Sequence, residues 1–223
     1  MEVSRICLAI AGKFPGTDYV DGRYSSPTGD LVSNLGRMPL VEVDGKGLGQ
    51  SVAINYYIAT ENGLMGSNTW EAAHILAVNE HLKEMITVFR TVVPWGEEPT
   101  TEKLDKWFDS GATDITGPAD RAGHSHRFLT WWMGRIEAAL GNEGFAVGHK
   151  LSLADVLLFT IFGDYLREEE AGELPLWRRF FFCDKERTDA ALAKHPKIKA
   201  SVDAVAANAN VQKWLATRGP QAF

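Results

Sequence analysis

The chain has 223 residues, of which 45% are hydrophobic and 23% are charged, an ordinary composition for a globular protein. Its formal net charge is -6, and its lysines and arginines are scattered rather than gathered into the basic patch of a nucleic-acid binder. No apolar run reaches the length of a membrane span, and the N-terminus lacks the pattern of a signal peptide. We therefore expect a cytoplasmic protein without a nucleic-acid or membrane partner.

Cysteine and histidine spacing argues against a metal site. The two cysteines, Cys7 and Cys183, are far apart and fit neither a disulfide framework nor a zinc site. His124 and His126 are two residues apart, which places them on different faces of a helix. The sequence predicts no bound metal and a reducing compartment.

The first elements are a helix and two short strands. Apolar residues at helical spacing predict a helix over Glu2–Gly12. Asp18–Tyr24 is a weak strand candidate. Pro39–Val43 is a strong one, and Asp44-Gly45 then predicts a hairpin turn into a second strand over Gly47–Gln50.

From Ser51 onward the chain has mainly helical periodicity. Ser51–Glu61 has helical periodicity, and Gly63–Thr69 is the best linker candidate. The remaining predicted helices are Trp70–Val92, Glu102–Phe108, Ala119–Leu140, Leu153–Leu166, Thr188–Ala193, Ile198–Ala207 and Val211–Thr217. The expected fold class is α/β plus all-α, with a small mixed domain over residues 1–66 and an all-helical domain over residues 67–223.

Three local motifs carry chemical information. Met38-Pro39 precedes a strand; because only about 5–6% of X-Pro bonds are cis, spacing alone favours a trans bond at a sheet edge. Gln50-Ser51 lies at a strand-to-helix junction, where Ser51 would be a plain N-cap or would help a helix N-terminus bind a carboxylate; taken alone, the plain cap is the better interpretation. Ser152 and Asp155 have the spacing of a capping box.

The order of these motifs resembles a known family. The run GRMPLVEVDGKGLGQSVAINYYIATENGLMG, the stretch Gly148–Asp155 and the ending HPKIKASVDAVAANANVQKWLATR resemble the glutathione transferases. The resemblance is greatest to the sigma-like group that includes the prostaglandin D synthases. It implies a thioredoxin-like N-terminal domain, a helical C-terminal domain, glutathione as substrate or cofactor, and a homodimer.

The resemblance also implies roles for individual residues. In the family, the proline that matches Pro39 is cis, and the backbone of the residue matching Met38 pairs with the cysteinyl part of glutathione. Gln50 and Ser51 match the residues that hold the γ-glutamyl end. Arg37 occupies a polar position where it compensates for missing contacts to the glycyl carboxylate.

Two further assignments come from the same resemblance. In the family, an acidic residue of the neighbouring subunit completes the glutathione site. Glu84 is the best match to that residue, followed by Glu80. The alternative interpretation of each glutamate is an ordinary solvated position on a helix face. Trp95 resembles an aromatic residue of the second-substrate pocket in the prostaglandin synthase relatives.

The sequence departs from the family at its start. The family opens with a strand that carries the catalytic tyrosine, and this chain begins after it, so no catalytic residue is assigned. Cys7 is not a replacement, because it lies within a helix among apolar neighbours. Ser26 and Asp30 stand where the family has a tryptophan and a lysine that hold the glycyl carboxylate, and Arg23 is a second candidate for that contact.

These observations leave two functions. The first is a detoxification-type glutathione transferase that conjugates the glutathione thiolate to small electrophiles, with the recorded sequence lacking its true start. The alternative is a non-catalytic binding or structural protein of the same fold. The segment over residues 168–185 has no assigned role, and the sequence does not identify the electrophile or any prostaglandin-type isomerase activity.

Overall fold

The computed structural model describes residues 2–22, 32–109, 127–163 and 181–218. This described part contains nine α-helices and two β-strands, with a single 3-10 turn at Val32–Asn34. The helices are α1 (Glu2–Ile10), α2 (Ser51–Glu61), α3 (Thr69–Val92), α4 (Thr101–Asp109), α5 (Leu129–Ala139), α6 (Leu153–Phe162), α7 (Lys185–Leu192), α8 (Pro196–Ala206) and α9 (Ala209–Thr217).

The strands β1 (Leu40–Val43) and β2 (Lys46–Gly49) form the predicted antiparallel hairpin. Leu40 pairs with Gly49 at the open end. Asp44 and Gly45 have φ values of 51° and 74°, so both occupy the left-handed region that a two-residue type I′ turn requires. The Asp44-Gly45 pair therefore predicted the hairpin turn correctly.

Three predicted elements differ from the structure, apart from shifts of three residues or fewer at helix ends. The helix predicted over Leu153–Leu166 ends at Phe162, because its C-cap residue Gly163 is extended. The weak strand candidate at Asp18–Tyr24 does not form over its described residues, where a single parallel bridge joins Pro15 to Tyr19; residues 23 and 24 lie outside the described part. Helix α5 begins at Leu129 rather than at Ala119, because its N-cap residue Phe128 is extended. The remainder of that prediction, over residues 119–126, also lies outside the described part.

Helix α1 joins the N-terminal part of the fold to the helical part. It packs against α2, α6 and α9, and its residues Ile6, Cys7 and Ala9 are completely buried. At its N-terminus, the Glu2 carboxylate accepts a hydrogen bond of 2.9 Å from the Trp214 indole N–H on α9. The two ends of the described chain are thus packed together.

Helix α6 forms the centre of the helical part. Every residue from Leu153 to Phe162 is buried, as expected for a helix that is apolar on all sides. The predicted capping box of Ser152 and Asp155 is present at its start. The Asp155 carboxylate also accepts hydrogen bonds from the Ala146 N–H and from the Ser201 hydroxyl of α8, both at 2.7 Å.

The predicted linker between α2 and α3 is packed against the helical part. Leu64 and Met65 are buried, and the Leu64 carbonyl accepts a hydrogen bond of 2.9 Å from the Leu153 N–H. Asn68 caps α3 by accepting from the Glu71 N–H at 3.0 Å. The change from mixed to all-helical structure falls in this segment, and a domain boundary after residue 66 is our proposal.

Candidate functional site

The loop before β1 exposes a peptide group next to a cis proline. The Met38–Pro39 bond is cis, so the trans bond favoured by spacing alone is wrong and the cis bond implied by the resemblance is correct. The Met38 side chain is 42% exposed. Its backbone N–H and C=O make no hydrogen bond within the described part of the chain. This peptide group is therefore free to pair with a ligand backbone.

A buried asparagine holds this loop in place. The Asn34 side chain is almost completely buried, and its Nδ2 donates to the Arg37 carbonyl at 2.9 Å and to the Pro39 carbonyl at 2.8 Å. The Arg37 N–H donates back to the Asn34 carbonyl at 3.0 Å. Asn34 thus fixes the carbonyls on both sides of Met38. Asn34 was not predicted from the sequence, where its only signal is its place two residues before the Gly-x-x-Pro run that starts at Gly36.

Asn34 can reach this position because β2 carries a glycine opposite it. A Cβ atom added to Gly49 would lie 2.3 Å from the Asn34 Cβ, a distance that real Cβ atoms do not show. Gly49 is also buried. The close approach of β2 to the loop therefore requires glycine, as is common where two backbone segments meet.

The junction between β2 and α2 differs from the plain N-cap that the sequence suggested. Ser51 is the first residue of α2, and Gln50 occupies the N-cap position without a capping hydrogen bond from its side chain. Gln50 has φ 68° and ψ 115°, a conformation that non-glycine residues rarely adopt and that is found most often at functional sites. The expectation that Ser51 is the N-cap is wrong by one residue, since Gln50 takes the non-helical conformation instead.

Gln50 and Ser51 both present unused polar groups. Both residues are exposed. The Gln50 amide and the Ser51 hydroxyl have no partner in the part of the chain that the structure describes. At the first turn of α2, the backbone N–H groups and the positive end of the helix dipole favour a carboxylate. The junction can therefore hold a carboxylate, with an amide beside it for a neighbouring amine.

The other predicted glutathione contacts lie around this edge or outside the described residues. Arg37 is exposed next to Met38. Ser26, Asp30 and Arg23 lie outside the described residues. On α3, which packs mainly on α4, α5 and α6, Glu84 and Glu80 are both exposed. Glu80 pairs with Lys83 at 3.0 Å, whereas Glu84 makes no ion pair within the described chain.

Trp95, the predicted second-substrate residue, lies just beyond the end of α3. Its side chain is 66% exposed. The Arg90 guanidinium carbon lies 3.5 Å from the centroid of its ring. The same carbon lies 5.9 Å from the centroid of the Phe181 ring. Trp95 therefore belongs to a small aromatic and cationic cluster that the sequence did not predict.

The chain is similar to glutathione S-transferases in sequence. A model of the glutathione S-transferase C-terminal domain matches residues 118–218. The probable glutathione S-transferase 7 of Caenorhabditis elegans is 29% identical over 222 residues, which cover 97% of this chain and 90% of the relative. These similarities support the glutathione transferase superfamily as the family of this chain.

Solved structures support the same fold. The chain is similar to a monomeric glutathione S-transferase from the hookworm Necator americanus, with a TM-score of 0.65, 24% identity and coverage of 100% of this chain and 93% of that one. It is also similar to the prostaglandin D synthase of Nilaparvata lugens, with a TM-score of 0.58, 23% identity and coverage of 99% and 93%. The glutathione transferase fold, with a thioredoxin-like N-terminal part and a helical C-terminal part, is thus established for this chain.

Both cysteines of the chain are buried. Cys7 is completely buried in α1, and burial raises the pKa of its thiol to about 12. Burial likewise raises the pKa of Cys183 to about 11. Because the thiolate is the reactive form, the expectation that Cys7 has a core role is confirmed.

The described residues contain no group of three or more His, Cys, Asp and Glu side chains that could hold a metal ion. None of the described helices is long and apolar enough to cross a membrane.

Proposed function

We propose that the edge from Arg37 to Ser51 binds glutathione and that the protein transfers its thiolate to small electrophiles. The observation that carries this proposal is the exposed Met38 peptide group, which Asn34 fixes beside a cis proline. Such a group can pair with an extended peptide as a sheet edge does. The similarity of the chain to glutathione S-transferases supports a tripeptide thiol as the ligand.

Each part of glutathione has a proposed partner at this edge. The Met38 N–H and C=O pair with the backbone of the cysteinyl residue. Ser51 and the free N–H groups at the start of α2 bind the γ-glutamyl carboxylate, and the Gln50 amide contacts the same end. Arg37 neutralises the glycyl carboxylate. These contacts place the thiol above the loop, where an electrophile can reach it.

The proposed reaction is a nucleophilic displacement. A free cysteine thiol has a pKa of about 8.5, so most glutathione is protonated at neutral pH and only the thiolate attacks. The sulfur forms a bond to the electrophilic carbon, and a leaving group such as chloride departs with the bonding electrons. We assign holding and orienting glutathione to the residues above and assign no residue to activation of the thiol.

The assembly and the biological setting are further parts of the proposal. We propose a homodimer in which Glu84 of one subunit approaches the γ-glutamyl amine bound by the other. The similar hookworm enzyme is described as monomeric, so light scattering coupled to gel filtration tests this part separately. A cytoplasmic detoxification role fits the conjugation reaction. We also propose that the chain belongs to the sigma-like group, and its likeness in fold to a prostaglandin D synthase supports this grouping.

Three measurements on the full chain test the function. We expect retention on immobilised glutathione, turnover of 1-chloro-2,4-dinitrobenzene, and a lower thiol pKa for bound than for free glutathione, followed by the ultraviolet absorbance of the thiolate. Retention without turnover and without a pKa change would support the non-catalytic binding protein and exclude conjugation. Absence of retention and of saturable binding in solution would exclude the glutathione site itself.

A further inference from the structure

Arg90 is a half-buried cation without a carboxylate partner. Its guanidinium lies over the Trp95 ring at 3.5 Å and 4.8 Å from the Phe89 ring centroid. Its Nη1 donates a long hydrogen bond of 3.4 Å to the Val93 carbonyl. Its Nε is buried and has no hydrogen-bond partner among the described residues. Most of its five N–H donors are therefore unused.

The nearby carboxylates do not neutralise this charge. No carboxylate of the described chain lies within 4.0 Å of the Arg90 guanidinium nitrogens. Asp184 pairs with Arg187 at 3.4 Å and accepts from the Arg187 N–H. Glu98 acts on Cys183 only through its charge and makes no ion pair with Arg90. A guanidinium in such a place needs an anion to offset its loss of water.

The position of Arg90 over the Trp95 ring indicates which anion fits. Apart from the long Nη1 contact with the Val93 carbonyl, the terminal N–H donors of Arg90 have no hydrogen-bond partner among the described residues, and two such donors match the two oxygens of a carboxylate or sulfonate. The ring of Trp95 is 66% exposed beside Arg90 and offers an apolar surface for the body of the same ligand. Burial lowers the pKa of Arg90 from its ordinary value.

We propose that Arg90 and Trp95 form a subsite for an anionic head group, so that the preferred second substrates are electrophiles with a carboxylate or a similar single anion on an apolar body. Arg90 is a specificity-determining residue in this view, and Trp95 packs against its guanidinium. The assignment of this subsite to the electrophile rests on the proposed glutathione transferase function. The anion binding itself does not depend on it.

The first test measures anion binding without glutathione. The probes are 8-anilinonaphthalene-1-sulfonate and N-phenyl-1-naphthylamine, which share the aromatic rings but differ in the sulfonate. We expect Arg90→Met to weaken binding of the sulfonate about tenfold or more, and binding of the neutral amine less than twofold, as fits the loss of a charge-assisted contact. Arg187→Gln, which removes an arginine already paired with Asp105 and Asp109, is the matched control and should change neither affinity.

The second test places the subsite relative to glutathione. We compare the dissociation constants of S-(4-carboxybenzyl)glutathione and S-benzylglutathione by titration calorimetry. The wild-type chain should prefer the carboxylated conjugate, and Arg90→Met should lose that preference. If neither conjugate binds, the proposal of a glutathione site fails. The first test still decides whether Arg90 binds an anion, because it uses no glutathione.

Defined outcomes would overturn the inference. Equal sulfonate affinity in Arg90→Met and wild type, or an equal loss for both naphthalene probes, excludes an anion subsite at Arg90. If the wild type binds both conjugates with equal affinity, the Arg90 subsite does not belong to the second-substrate pocket. Circular dichroism checks the fold of each variant, and Arg90→Gln serves as the second charge-removing variant if Arg90→Met does not fold.

Discussion

The Asn34 side-chain amide donates to the Pro39 carbonyl at 2.8 Å, across the cis peptide that precedes β1. The same nitrogen holds the Arg37 carbonyl at 2.9 Å. One buried side chain thus sets the direction of the exposed Met38 peptide group. The proposed pairing with glutathione depends on that direction, since a backbone pair needs its N–H and C=O aligned with the partner strand.

Replacement of Asn34 by alanine should therefore impair both folding and binding. Two hydrogen bonds to a buried amide are lost, which should lower the free energy of unfolding by about 1–3 kcal/mol. The affinity for glutathione should fall about tenfold, because the Met38 loop is no longer fixed. Urea unfolding and titration calorimetry measure the two effects.

Asn62 provides the matched control for this variant. Its Nδ2 donates at 2.6 Å to the Ile58 carbonyl at the end of α2, away from the loop. Asn62→Ala should lower stability slightly and leave the affinity for glutathione unchanged. An Asn34→Ala protein with wild-type affinity would show that the loop needs no such support.

A larger residue at position 49 should destabilise the chain as long as Asn34 lies opposite it. In Gly49→Ala the new Cβ would lie 2.3 Å from the Asn34 Cβ, and the overpacking should cost about 1–3 kcal/mol together with a loss of glutathione affinity. Gly45→Ala, at an open position with φ 74°, should lower stability without changing affinity. In a chain that already carries Asn34→Gly, Gly49→Ala should lower the free energy of unfolding by less than in the wild type. An equal loss in both chains would show that the contact with Asn34 does not cause the destabilisation.

The sequence predicted the elements better than the contacts between them. Helix α2 was predicted with its observed bounds, because its apolar spacing is regular and Asn62-Gly63 ends it. The hairpin followed from Asp44-Gly45, whose preference for positive φ is local. Such signals depend only on neighbours along the chain.

The details of the site depend on tertiary contacts, and these were missed. Asn34 binds carbonyls three and five residues ahead and faces β2, a position that no periodicity encodes. Gln50 rather than Ser51 became the N-cap, because Gln50 adopts a positive φ that its residue type does not favour. Arg90 and Trp95 meet around the end of α3, beyond the i, i+4 contacts within a helix.

The buried Asp155 should be among the most sensitive positions for stability. Its carboxylate accepts from Ser152, Ala146 and Ser201 and is completely buried. Asp155→Ala would leave these donors without an acceptor, so we expect a loss of about 3 kcal/mol or more in urea unfolding. Ser201→Ala removes one of these bonds and should cost about 1 kcal/mol. A loss for Asp155→Ala no larger than that for Ser201→Ala would contradict the network.

The same carboxylate should show an unusual pH dependence. Burial raises the pKa of Asp155 above its ordinary value of 3.8, although its hydrogen bonds lower the pKa in part. The folded state then binds the proton more tightly than the unfolded state. The stability that Asp155 contributes is therefore greatest below about pH 3.8 and declines as the pH rises through the folded pKa. The difference in unfolding free energy between wild type and Asp155→Asn should shrink with rising pH, and a difference that grows would show a lowered pKa.

Both thiols should be unreactive in the folded chain. Cys7 and Cys183 are buried, with pKa values raised to about 12 and about 11. Ellman's reagent at pH 8 should label neither thiol until urea unfolds the protein, when two thiols per chain should react. Rapid labelling of one thiol in the native chain would reveal a reactive cysteine that burial should have excluded.

The most direct test of the glutathione site is a calorimetric titration of glutathione into wild type, Gln50→Ala, Ser51→Ala and Thr60→Ala. Thr60 lies on α2 as well, with its hydroxyl donated to the Tyr56 carbonyl, and serves as the control. The proposed site predicts one saturable site per wild-type chain, unchanged affinity for Thr60→Ala, and about tenfold weaker binding for each of the other two variants. Equal affinities in all four proteins, or no saturable binding in any of them, would contradict a glutathione site at the Arg37–Ser51 edge.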